Sequence, residues 1–549
     1  MRIKSGGTPT GLLLRLTAGA FLCLGVASPA RPQAPPLSPQ PAPTARPAIP
    51  ADSPKTSQVF PEADFPVGGP TAEGAIPDTT AQPGPGGLYA PLPRTLDYAR
   101  PGVGMRPISD YAPPGYMPAD PQGGLGAPLY VPIPVPSPEL ATTDLERDKF
   151  VTRGLYPGSY RISGTNTSFK WYGFVRVDGI FDLNPIGGTD SFVTAQIPVP
   201  QGRGQNYAAN PRYSRLGLDT WTPTSLFDWN FHTRIVVDFF NGNNSGVFGS
   251  YPLRLRYAYA DFGPFRVGQA ASTFMDYDVF PNVLDYQGPN GMVLMRQLIA
   301  RVTIPLADQL HVAFAAEQPY SDISWFQDGE FVVNPGSGVI TTAGAPRNVQ
   351  DVPDFTGNVR YDTDFGHVQV SGILRKLTFQ PAVGSDMNRL GSGVNLTADF
   401  RPWAWLVQSD PERKDKPTAL ERCRVLGQYA VGRGINRYLQ DPNGLGLDAV
   451  FDPVEGFRAL YSVGWFICYE HWWTEKLASN FCYGGINTAL PAAVPGDTYR
   501  GGKYAAANLI WLPYPGWGVG IEYLYGERED KDGQNGFAHR VQMALQYNF

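Results

Sequence analysis

Arg540-Val541-Gln542-Met543-Ala544-Leu545-Gln546-Tyr547-Asn548-Phe549 reads as a strand with two unlike faces. Val541, Met543, Leu545, Tyr547 and Phe549 share one parity; Arg540, Gln542, Ala544, Gln546 and Asn548 share the other. Period-two alternation says only that one face is apolar, so a soluble sandwich strand would satisfy it. A terminal aromatic on such a strand, in a chain carrying a secretion signal, points instead to an outer-membrane β-barrel. Strands of that kind turn the apolar face to lipid and the polar face to a lumen.

The signal is read from Arg2 and Lys4, the mostly apolar stretch Leu12 to Val26, and the small residues Ala27, Ser28 and Ala30. That stretch is too short to span a bilayer as a helix, and no later segment is long and apolar enough to be a membrane helix. The mean hydropathy of −0.23 looks soluble. It does not exclude a barrel, because every second strand residue faces water. A net charge of −5 argues against a nucleic-acid partner. Cys23 should leave with the signal. Cys423, Cys468 and Cys482 remain, with no metal-like spacing. One disulfide is compatible with an oxidising compartment; the plainer reading is three small buried or lipid-facing side chains.

Three segments are expected: a signal peptide (1–30), a proline-rich, largely disordered periplasmic extension (31–157) and a barrel (158–549). Of 55 prolines, 30 lie before residue 139. Runs such as Pro132-Ile133-Pro134-Val135-Pro136 lack the donors a sheet ladder needs. The extension reads first as a spacer, and second as a segment in contact with the cell wall or an envelope partner.

From residue 158 onward alternating runs are separated by Gly, Asn, Asp and Pro clusters. Strands are expected near 169–182, 212–222, 227–241, 253–262, 264–273, 292–304, 309–317, 355–364, 367–380, 389–401, 422–433, 457–470, 472–486, 499–512, 516–527 and 537–549. The fold class is therefore all-β, a 16-stranded antiparallel transmembrane barrel. Tight connections such as Phe262-Gly263-Pro264 and Phe365-Gly366 alternate with long ones, the asymmetry of periplasmic turns and extracellular loops. The charged connection 402–421 departs from this rhythm; it is either an insertion or a slip in the count. Parity places Arg176 and Asp178, and likewise Arg234 and Asp238, on the wet face. It places Tyr257 and Tyr259 with Leu253 and Leu255 on the lipid face. Charge inside a closed barrel is tolerated only where water fills it, and sixteen strands leave an aqueous channel.

Ser163 to Lys170 and Tyr172 to Asp178 resemble the first-strand motif of the DcaP-like porins. So do Tyr213 to Thr220, Val237 to Phe240 and Leu253 to Tyr259, and above all Val267 to Asp276, running through Leu284-Asp285-Tyr286 and Gly288-Pro289-Asn290-Gly291 to Arg296-Gln297. This resemblance covers residues 160–304 well. It implies a trimeric outer-membrane porin for passive diffusion of small hydrophilic solutes, some members favouring anions such as dicarboxylates. It also implies that the third long loop, 274–291, folds into the lumen. The proline-rich extension departs from the family's coiled-coil one.

Selectivity in a porin comes from pore width and lining charge. The expected arrangement is an acidic constriction loop (Asp276, Asp278, Asp285) opposite a basic wall of Arg176, Arg215, Arg234, Arg254, Arg256, Arg266, Arg301, Arg360 and Arg375. The plainer reading pairs several of these arginines with nearby carboxylates. The three aspartates lack the ligand ladder of a Ca²⁺ loop, and neither metal nor cofactor is expected. Catalysis would need a base beside a nucleophile or a carboxylate pair. His232, His311, His367, His471 and His539 have no such partner at a recognisable spacing, so no enzyme is expected. The alternative function is a structural envelope protein, anchored by the barrel and tethered to the wall by its tail. The expected partners are small anionic solutes, outer-membrane lipid and further copies of the chain.

Overall fold

The structure is a computed structural model that describes residues 151–549, apart from 155, 157, 189, 228, 241–250, 328, 335–344, 409–418 and 453. The expected signal peptide and nearly all of the expected proline-rich extension lie outside the described residues.

Sixteen long strands run β1 (Ser168–Asp182), β2 (Arg215–Pro223), β3 (Asn230–Asp238), β4 (Arg254–Phe262), β5 (Phe265–Ala271), β6 (Arg296–Ala307), β7 (Leu310–Glu317) and β8 (Asp354–Thr363), then β9 (Gly366–Gln380), β10 (Met387–Phe400), β11 (Arg424–Arg433), β12 (Tyr461–Thr474), β13 (Leu477–Thr488), β14 (Tyr499–Trp511), β15 (Trp517–Asp530) and β16 (Asn535–Asn548). Each pairs antiparallel with the next. Closure comes from β16 against β1, with Tyr547 opposite Val175 and Gln546 opposite Arg176. Phe549 and Gly173 exchange both backbone hydrogen bonds, so the terminal aromatic sits on the seam. Four short strands extend the same sheet: Val151–Arg153, Tyr160–Ile162, Asn206–Asn210 and Arg347–Val349.

The burial pattern follows the alternation. Along β1, Trp171, Val175, Val177 and Phe181 are exposed on the outer face, while Phe174, Arg176, Asp178, Ile180 and Asp182 are buried inside. An apolar outer face is stable only in lipid, and the closed sheet leaves no unpaired edge there. Tight turns close one end, and Gly263 shows how: its φ of +57 and the Trp229 ring packed over it exclude a side chain.

Two expected boundaries or faces differ in the structure, and one open alternative is decided. On β4 the ladder shifts at Arg256, so that Val237 opposes Leu255 but Val236 opposes Tyr257. This bulge flips the alternation, and Tyr257 and Tyr259 point inward and are buried rather than facing lipid. Residues 457–459 are not in the barrel wall. Gly456–Ala459 pairs with Ala449–Asp452 in a lumen-side ribbon, because Phe457 packs on Phe379 and Trp325. The wall strand therefore starts at Tyr461 and keeps Trp472 and Trp473, turning at Glu475-Lys476. The 402–421 connection is an insertion, not a slip. It holds a short helix, Pro402–Gln408, and a 3-10 turn, Ala419–Arg422. The helix exposes Trp403, Trp405 and Leu406, side chains suited to a membrane interface.

Cys468 and Cys482, directly opposite on β12 and β13, form a disulfide, and Cys423 is free and buried. No described helix is long and apolar enough to cross a membrane.

Candidate functional site

The connection between β5 and β6, residues 272–295, enters the barrel, as the porin resemblance implies. Several of its buried backbone polar groups are satisfied by wall side chains. Thr273 N donates to Glu317 on β7, and its carbonyl accepts from Asn358 on β8. Asn395 on β10 donates to Phe274 O, and Arg424 on β11 donates to Asp278 O and Phe280 O. Leu284 N and Asp285 N both donate to Glu522 on β15, at 2.8 Å each, and Arg176 donates to Leu284 O at 2.6 Å. The loop thus crosses the lumen, pegged from β7 round to β1.

Where the loop packs closest on β12 and β15, the wall carries glycine. A Cβ on Gly464 of β12 would sit 2.5 Å from Gly291 O, and one on Gly520 of β15 would sit 2.9 Å from Leu284. The β1–β2 connection, residues 183–214, is seated in the same way. A Cβ on Gly502 would be 2.5 Å from Thr194 Oγ1, and one on Gly536 would be 2.3 Å from Pro198 O. A third connection, residues 434–460, runs beside the β5–β6 loop as a short ladder: Leu294 N to Tyr438 O, Gln440 N to Met292 O and Asp441 N to Asn290 O. All three loops enter one apolar cluster with Ala195, Phe274, Tyr438 and Leu439, and a second, with Phe192, Ile197, Val279 and Met292, joins the β1–β2 and β5–β6 connections.

All nine expected arginines lie on the inner face. Their surroundings divide them. Arg176 pairs with Asp178, lies over Tyr286 and holds the β5–β6 loop. Arg360 reaches Asp276, Asp278 and Asp362; Arg375 pairs with Asp354 and Asp448 and bonds the Tyr320 and Gly434 carbonyls. These three brace inserted loops. Arg234 grips Asp219 through two bonds, and Arg266 grips Asp261 while lying 4.0 Å over Tyr259. Arg301 of β6 is the register partner of Arg266.

The remaining expected arginines cluster. Arg254 and Arg256 share Asp238, each at 2.7 Å. Arg215 and Arg296 are close enough to act on Arg256 electrostatically. Arg215 lies over Phe174 and Tyr286, and its Nε and Nη2 have no hydrogen-bond partner among the described residues. Arg296, part of the DcaP-like motif but not among the expected lining arginines, donates to Tyr257 Oη at 3.2 Å. That contact exists because the bulge brings Tyr257 inward. Repeated glycines at inward parity on β12–β16 were the available signal for the loop seats.

The three loop aspartates do not sit together. Asp276 accepts from Thr397 and lies 2.8 Å from His367; burial raises its pKa, but His367 and Arg360 outweigh that and hold the carboxyl below its usual range. Asp278 meets Arg360. Asp285 accepts from Phe192 N, Gln287 N and Tyr504 Oη, and burial pushes it up to about 6. Among the described residues no His, Cys, Asp and Glu group could hold a metal ion.

Residues 157–317 match the family described as DcaP outer membrane protein. Among solved structures, the outer membrane channel DcaP of Acinetobacter baumannii is 20% identical, with a TM-score of 0.57, and covers 70% of this chain and 97% of its own. The anion-selective porin of Comamonas acidovorans is 10% identical with a TM-score of 0.41, over 70% of this chain and all of its own. No curated protein sequence matches the chain.

Proposed function

From a DcaP-like outer-membrane barrel with the porin fold, we propose a channel for passive diffusion of small hydrophilic solutes that favours anions, dicarboxylates among them. The selective element is the arginine group Arg215, Arg254, Arg256 and Arg296 on β2, β4 and β6. The observation that carries this reading is Arg215. Its guanidinium is buried in the lumen wall, with Nε and Nη2 uncommitted among the described residues. Arg215 faces Asp238 across the ladder, but that one carboxylate is already bonded by Arg254 and Arg256, so the group keeps a net positive charge that little water screens and that attracts a passing anion. A dianion gains about twice the attraction of a monoanion in the same field. The aspartates of the inserted loop are occupied in fixing that loop, so the loop narrows the lumen while the arginines bias it. The functional unit is a homotrimer.

The test is reversal potential in a planar bilayer under a KCl gradient, with wild type compared with Arg215→Ala/Arg256→Ala. Anion preference in the wild type, reduced several-fold in the double variant, is expected if lining charge sets selectivity. Cation preference, or a preference the double variant leaves unchanged, would overturn the arginine assignment. No conductance from correctly folded protein would overturn the channel itself.

A further inference from the structure

The three inserted loops meet at one carboxyl. Asp441, in the 434–460 loop, accepts from Ala195 N at 3.2 Å and from the Thr194 hydroxyl, both in the 183–214 loop. Its own N–H is bonded to Asn290 O of the β5–β6 loop, whose side chain also reaches Thr194 at 3.2 Å. Asp441 is 3% exposed, its Oδ1 has no partner, and no cation among the described residues pairs with it. The titratable groups around it are Asp285 from the β5–β6 loop, Tyr499 and Tyr504 from β14, and Arg528 from β15. Arg528 spends one Nη on the Ala195 and Ile197 carbonyls.

We propose that Asp441 is a proton-operated latch: protonated, it holds the 183–214 loop down on the β5–β6 loop and narrows the lumen; ionised, it releases that loop. The inference rests on the channel reading above. A carboxylate buried among neutral donors lacks the compensation water or a cation would supply, so its ionised form is costly only while the loops stay docked. The neighbouring Asp285 adds a like charge. Burial accordingly pushes Asp441 up to about 7. A carboxyl raised in the docked state favours docking in acid, below the usual carboxylate value. That advantage is lost as pH climbs towards about 7. Within the window each pH unit changes the docked-to-released ratio by up to about tenfold. The backbone ladder between the other two loops needs no ionisable group and stays closed in both states.

Single-channel recording of the full chain between about pH 4 and about pH 8 tests this. The wild type should show an open fraction that rises with pH by about tenfold or more, the scale that one linked carboxyl supplies. Asp441→Asn, which resembles the protonated form, should stay in the low-conductance state near pH 7 and keep only the smaller pH dependence of Asp285, which accepts from Phe192 N and which burial raises to about 6. A conducting wild type that is flat with pH, or an Asp441→Asn channel that keeps the wild-type profile, would overturn the latch and leave the channel reading intact. No conductance at any pH would overturn both. If Asp441→Asn does not fold, Thr194→Val keeps the carboxyl but removes a donor that stabilises its ionised form. The midpoint should then move upward, and an unmoved midpoint would overturn the assignment.

Discussion

The inner face of β2–β6 and the inner face of β12–β16 line one lumen with opposite materials. The first carries long cationic side chains interleaved with Tyr257 and Tyr259. The second carries glycine where a loop approaches it most closely, at Gly464, Gly502, Gly520 and Gly536. A wall that keeps its side chains meets the loop through them, as Arg215 does over Tyr286 and Arg296 over Tyr277, and keeps charge beside the solute path. A wall that gives them up lets backbone pack on backbone. Backbone seats for the inserted loops therefore lie on the glycine side, and the charge that biases the solute path on the arginine side. A closed sheet can serve both purposes because each strand chooses its inward residues independently of its lipid-facing ones.

The sharpest break of this contrast is Gly291→Val. Its Cβ would lie 2.3 Å from Gly485 O and 2.6 Å from Trp465 N, both backbone atoms of the wall. Overpacking of this kind costs about 1–3 kcal/mol, and here it falls on one loop. Unseating that loop should raise single-channel conductance about twofold by widening the path, with ion selectivity retained. Unchanged conductance in a folded channel would mean that the loop does not set the width.

A smaller effect is expected from Glu522→Ala. It removes the acceptor of Leu284 N and Asp285 N and of one Asn508 donor. Each donor left unsatisfied costs about 1–3 kcal/mol, but Arg176 and Asn508 still hold the loop through the Leu284 and Asn282 carbonyls. Open-channel noise should grow while mean conductance changes little. A quiet trace would demote Glu522 as an anchor.

The smallest effect is expected on the arginine side. Arg254 is the most solvent-exposed of the cluster, at 38%, and already shares Asp238 with Arg256. Exposure screens its field. Arg254→Gln should shift the reversal potential by less than half of the shift in the Arg215/Arg256 double variant, with no change in noise. An equal or larger shift would move the selective element to the rim.

Much of this molecule was legible in residue order. All sixteen strands follow from runs of alternating residues, and Trp171, Val175 and Val177 face lipid as their parity says. Errors arose where a local event overrode the period. One extra residue at Arg256 reversed the faces of Tyr257 and Tyr259, and nothing in Arg254-Leu255-Arg256-Tyr257 marks a bulge. Phe457 has the composition of a strand residue, yet an apolar niche made by Phe379 and Trp325 drew it off the wall. The arginines were legible as inward. Their division into loop braces, such as Arg375, and the uncommitted Arg215 was not, because it depends on carboxylates more than seventy residues away, such as Asp448.

By itself, the order of residues determined that this chain closes a sheet around water within a membrane. Alternation is a local property, and lipid outside with water inside leaves it one arrangement. Only the tertiary structure decided what fills that water. The loops choose their seats by close approach between distant backbones, the glycines matter only opposite a particular loop, and Asp441 is a junction only because three connections arrive at it together.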